Sequence, residues 1–85
     1  MMEATYTYTI SKEYSPESFW RAVKLLDAAL PADTLRKFTE DPLGDFLQMC
    51  YGEGERQIRC ECDWEIGAVF VDSGINLDHI FKKTI

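Results

Sequence analysis

Two runs of alternating apolar residues, 46–51 and 56–62, flank the tetrad Gly52-Glu53-Gly54-Glu55, and no other feature restricts the fold as strongly. Alternation with a period of two sends successive side chains to opposite faces of a strand, and glycines in the link supply the backbone freedom of a short hairpin loop. Pairing Tyr51 with Arg56 sets Met49 opposite Ile58 and Leu47 opposite Cys60, which gathers the apolar residues on one face. The other face then matches Cys50 with Gln57, Gln48 with Arg59 and Phe46 with Glu61. A slip of one residue would mix apolar and charged partners, so the hydrophobic pattern specifies the pairing.

The flanking sequence supplies what such a hairpin needs to cover its apolar face. Residues 5–10 alternate Tyr6, Tyr8 and Ile10 against Thr5, Thr7 and Thr9, a half-buried strand in β-favouring residues. Ser15-Pro16-Glu17 reads as a helix start, with Ser15 as N-cap, Pro16 in the first helical position and Glu17 at the positive end of the dipole. Phe19, Ala22, Val23, Leu26 and Ala29 or Leu30 then recur at helical spacing as one apolar stripe, up to Pro31. Residues 33–39 are expected to add a short helical turn, and Asp41-Pro42-Leu43-Gly44 a loop. Residues 66–71 predict a further strand, reached through Asp63-Trp64-Glu65. Asn76 is placed to cap a terminal helical turn with Leu77, Ile80 and Phe81 inward and Lys82-Lys83 at its negative end. The expected fold is α+β over residues 1–85 as a single compact domain: a small four-stranded, mostly antiparallel sheet in the order β-α-(short α)-β-β-β-α, with the long helix on one face.

The hairpin also carries the charge. Between Glu40 and Glu65 lie eight acids (Glu40, Asp41, Asp45, Glu53, Glu55, Glu61, Asp63, Glu65) against Arg56 and Arg59, which equals the whole chain's net charge of −6. The remainder is balanced. A one-signed stretch in a small protein steers a basic partner and is screened by salt. It repels nucleic-acid phosphate and anionic membrane surfaces, so direct binding to either is not expected. No run approaches the roughly 20 apolar residues of a membrane span. The opening Met-Met-Glu-Ala-Thr-Tyr reads as no secretory leader, and an odd three cysteines fit reduced thiols, so a cytoplasmic location is expected.

Catalytic and metal chemistry are poorly provided for. Cys60-Glu61-Cys62 puts two sulfurs on one strand face, but zinc needs two more ligands and Cys50 falls on the opposite face. Burial is the ordinary role of such cysteines. His79, the single histidine, has no orienting acid, since Asp78 points elsewhere on a helical turn. Gly52-x-Gly54 lacks the strand-loop-helix setting of a phosphate loop. Glu61, Asp63 and Glu65 alternate, yet glycoside hydrolysis needs a deep cleft and calcium a dedicated ligand spacing. No enzyme activity, no cofactor and no metal site is therefore expected.

Binding is the better use of these residues. Trp64 sits among acids at an expected turn, and tryptophan ringed by polar groups is a frequent interface anchor. Phe46 falls on the polar hairpin face and joins the expected contact set, with all eight acids and Trp64. Clustered carboxylates compete with phosphate for arginine and lysine. In size and charge the chain resembles phage-encoded inhibitors of host defence, including anti-CRISPR proteins. That likeness implies a non-enzymatic inhibitor that mimics nucleic acid on a basic, nucleic-acid-binding protein. An immunity or antitoxin-type protein directed at a nuclease toxin, or a small structural subunit, is the alternative, as monomer or homodimer.

Overall fold

The computed structural model describes residues 6–81, which fold as one antiparallel sheet with one helix across it. The strands are β1 (Tyr6–Ser11), β2 (Arg36–Glu40), β3 (Phe46–Tyr51), β4 (Ile58–Asp63) and β5 (Ala68–Ser73), in the spatial order β1-β5-β4-β3-β2. The helix α1 (Pro16–Ala29) lies over the centre of the sheet. The expected Thr5 and the Lys82-Lys83 pair lie outside the described residues.

α1 forms where its sequence starts it. The Ser15 side chain accepts the Ser18 backbone N–H at 3.2 Å, and Pro16 occupies the first turn. Phe19, Ala22, Val23 and Leu26 are buried as one stripe. The chain leaves the helix at Leu30 in extended conformation, and Ala29 stays exposed. Beneath the stripe lie Tyr8, Leu47, Tyr51, Ile58, Cys60, Cys62, Val69 and Val71, each at most 5% exposed.

The sheet has five strands, not four, because residues 36–40 pair with β3 instead of forming a helical turn. Phe38 meets Met49 on the inner face, and tertiary pairing overrides a weak local preference. The β3–β4 register is also offset from the expected one. Tyr51 faces Ile58, Met49 faces Cys60, Leu47 faces Cys62 and Phe46 faces Asp63. The loop runs through residues 52–57 with a 3-10 turn at Gly54–Arg56, and Gly52 and Gly54 have φ of 72° and 66°. Tyr51 thereby gains buried Ile58 as its neighbour in place of exposed Arg56. The offset is two residues, so each side chain keeps its expected face.

β5 starts at Ala68, two residues later than expected, and Ile66 is 63% exposed in the preceding turn. A bulge at Ile10 interrupts the β1–β5 pairing. Residues 78–80 form a turn and no helix. Leu77 and Phe81 still point inward, fixed by the Tyr8 hydroxyl, which accepts the Leu77 N–H and donates to Asp78 Oδ1, both at 2.8 Å.

Candidate functional site: an acidic, aromatic end of the sheet

A six-residue strand is about 20 Å long, so the two ends of the β3–β4 hairpin are separate places. At one end stand the turns 41–45 and 63–67 with the β1–α1 connection; at the other stands the loop 52–57. Glu40, Asp41, Asp45, Asp63 and Glu65 belong to the first end, with Phe46 and Trp64. Glu53 and Glu55 belong to the second. Glu61 belongs to neither: it lies mid-strand on the outer face, its Oε1 accepting from Gln48 at 2.6 Å and lying 3.3 Å from Arg59 Nε. Arg59 also donates to Asp72 at 2.9 Å. The structure thus brings five of the eight acids together and holds the other three apart.

The first end is held by backbone and aromatic contacts. Asp41 Oδ1 accepts the Leu43 N–H at 2.7 Å, and the Asp41 carbonyl accepts from Gly44 at 2.8 Å. Asp63 Oδ1 accepts from Glu65 N at 2.9 Å, and the Asp63 carbonyl from Gly67 at 2.8 Å. These are the turn-forming bonds for which Asp is suited. The two turns are tied directly, since Trp64 N–H donates to the Asp45 carbonyl at 2.9 Å. Tyr14 joins them to the helix start: its hydroxyl donates to the Gly44 carbonyl at 2.5 Å, and its ring meets Trp64 edge-on at 5.1 Å. Burial, then the negative charges of its neighbours, Asp45 included, pushes the Tyr14 phenol above its ordinary value.

Trp64 is therefore fixed by its backbone and by one ring edge, yet 61% exposed. Leu43 at 83% and Ile66 at 63% extend the apolar surface beside it. Phe46 is half-buried, with its carbonyl accepting the Asp41 N–H at 3.0 Å. Lys12 and Glu13 of the β1–α1 connection cancel at this end, and Glu17 of the first helical turn meets the positive end of the α1 dipole. Tyr14 and Leu43 escaped the sequence reading. The hairpin length itself carried the signal that would have separated Glu53 and Glu55 from the rest.

The other chemical candidates occupy different surroundings. Cys60 and Cys62 are fully buried under α1; burial pushes the Cys60 thiol up to about 12 and raises that of Cys62. Thiols so held are protonated and poor as ligands or nucleophiles. Among the described residues no three His, Cys, Asp or Glu side chains are grouped to hold a metal ion. His79 is exposed in the 78–80 turn, and neighbouring Asp78 is engaged with Tyr8. An open concavity of about 430 Å³ on the outer face is lined by Lys37, Thr39, Gln48, Cys50 and Gln57, away from the acidic end. No helix among the described residues is long and apolar enough to cross a membrane. No family model, curated protein or solved structure matches this chain.

Proposed function

We propose that the protein is a non-enzymatic inhibitor that occupies the basic, nucleic-acid-binding surface of a larger protein, in the manner of phage-encoded anti-defence inhibitors. The observation that carries this reading is the exposed Trp64, pinned against Tyr14 at the end of the sheet that also carries Glu40, Asp41, Asp45, Asp63 and Glu65. Carboxylates supply the charge that arginines and lysines ordinarily give to phosphate, and charge-assisted bonds to them are strong. The aromatic anchor supplies desolvated contact area, which charge alone does not provide. Rigid turns lower the ordering cost of association, because the loops are already held by backbone bonds.

Capture from lysate at low and high salt identifies the partner, and competition then tests the mode of action. Unmodified protein should displace nucleic acid from the captured protein. The triple variant Asp41→Lys/Asp45→Lys/Glu65→Lys and the single variant Trp64→Ala should fail to do so while keeping the parent's circular dichroism. Equal displacement by the triple variant at low salt would remove the acidic end as the contact.

A further inference from the structure

The strand β2 forms one edge of the sheet, and all five of its residues are exposed. Its hydrogen-bonding phase is fixed by the bonds that flank it. Leu35 accepts from Gly52 at 2.9 Å and Asp41 donates to Phe46 at 3.0 Å, so odd-numbered residues direct their backbone groups to β3. In an antiparallel ladder the N–H and C=O groups of Arg36, Phe38 and Glu40 then point away from the sheet. Two devices that blunt such an edge are missing from β2, since its five pairs with β3 run without a bulge and no proline interrupts it; the charges it does carry, Arg36, Lys37 and Glu40, select which strand can pair with it.

We infer that β2 pairs with β2 of a second copy of this chain, antiparallel and two-fold symmetric about Phe38. The sequence Arg36-Lys37-Phe38-Thr39-Glu40 is self-complementary in that register. Arg36 of each copy, whose Nε and Nη1 already donate to Asp27, Ala32 and Thr34 of its own chain, falls opposite Glu40 of the other, Phe38 opposite Phe38 and Lys37 opposite Thr39. The three residues whose backbone groups point outward are the ones this register hydrogen-bonds to one another. Opposite charges directly across a strand pair are favourable and like charges are not. A shift of one residue would bring Arg36 opposite Thr39 or Asp41 and would pair outward-facing with inward-facing backbone groups, which the ladder forbids.

The side chains around the edge fit a second copy. Phe38 is 41% and Trp20 45% exposed; their rings lie 5.3 Å apart, with buried Phe19 behind them at 4.9 Å from Trp20. The two-fold brings both Phe38–Trp20 pairs to one seam on the helix side. With α1 centred near β4, five strand spacings separate the two helices by about 24 Å, so they do not collide. Antiparallel pairing also sends the acidic ends of the two copies to opposite extremes, which limits repulsion between two chains of charge −6. The inference shares only Glu40 with the proposed docking end and uses neither Trp64 nor the turns 41–45 and 63–67, so loss of the dimer in Arg36→Glu can be read apart from the docking end.

Sedimentation velocity over a concentration series tests it with two single variants, Arg36→Glu and Glu40→Lys. The parent should form a dimer as concentration rises to ~1 mM, and each variant alone should raise the dimer Kd about tenfold or more. An equimolar mixture of the two variants should recover dimer, because both charge pairs become complementary again in the heterodimer. Circular dichroism checks that each variant keeps the parent's fold, and Glu13→Lys, exposed beside the opposite edge strand β1, serves as a charge control that should leave the dimer Kd unchanged. A parent that stays monomeric throughout would overturn the inference. So would a dimer indifferent to both variants, recovery absent from the mixture, or association only with an added extended peptide.

Discussion

The two ends of the β3–β4 hairpin are built from the same strands and behave as opposites. At the loop 52–57 end the side chains lock inward: Tyr51 is buried, its hydroxyl bonds to Asp27 at 3.1 Å, and Arg36 joins Asp27 at 3.0 Å while lying 5.6 Å over the Tyr51 ring. Gly74 N–H donates to the Gln57 carbonyl at 3.0 Å, and its backbone lies directly against that of Glu55. At the other end Asp41 and Asp63 each turn a carboxylate oxygen to the backbone of their own turn, while Glu40, Asp45, Trp64 and Glu65 are exposed. One end uses polar side chains to fasten the sheet; the other, the length of one strand away, leaves Trp64 and three carboxylates in solvent.

Substitutions beneath both ends should have the largest effect. Leu26→Ala or Ile58→Ala removes a side chain at most 2% exposed from the shared core and should cost about 2–5 kcal/mol in urea unfolding. A loss below 1 kcal/mol for either would mean that α1 does not clamp the sheet. Next comes Gly74→Ala. A Cβ there would stand 1.6 Å from the Glu55 carbonyl oxygen, so the fastened end must shift, at about 1–3 kcal/mol. Tyr51→Phe deletes the bond to Asp27 and should cost about 1 kcal/mol in the same urea unfolding. At the outward end, Asp45→Asn or Glu65→Gln should change stability by no more than about 0.5 kcal/mol, with relief of repulsion favouring the variant. A loss as large as that of Tyr51→Phe would erase the contrast between the ends.

Alkaline pH should act on the core and, through the raised Tyr14 phenol, on the acidic end. The Cys60 thiol lies at about 12 in the fold against an ordinary 9.0, and the Tyr8 phenol is also raised, first by burial and then by its bond to Asp78. A group whose proton is held more tightly in the folded state stabilises below its unfolded pKa and loses that contribution as pH rises towards its folded value. The urea midpoint should therefore fall between pH 9 and pH 12, from the ordinary thiol value to that of Cys60 in the fold. A flat profile there would contradict the burial of these groups.

The sequence made the inner face legible because period-two patterning survives an error of two residues. Leu47, Met49, Ile58 and Cys60 keep their face although the register differs. α1 was legible from Ser15-Pro16 and its stripe. β2 was not, since residues 33–39 hold one strongly apolar strand position, Phe38, and its strand state depends on β3. The terminal segment was half legible: Leu77 and Phe81 bury as their spacing implies, but the Tyr8 hydroxyl, not a helix, holds them. For the site, charge was visible along the chain and its division between ends was not. Counting acids over residues 40–65 ignores that a hairpin sends Asp45 and Glu53 in opposite directions. The exposure of Trp64 depends on the Asp45 and Tyr14 contacts, which join residues remote in sequence.

The claim that one end alone is the docking surface is tested most directly by amide chemical-shift mapping during titration with a short arginine-rich peptide, a probe for basic protein surface. Shifts should gather at Tyr14, residues 41–46 and residues 63–67, weaken as salt is raised, and leave residues 53–56 unmoved. Equal shifts at Glu53 and Glu55, or shifts spread evenly over the molecule, would contradict it.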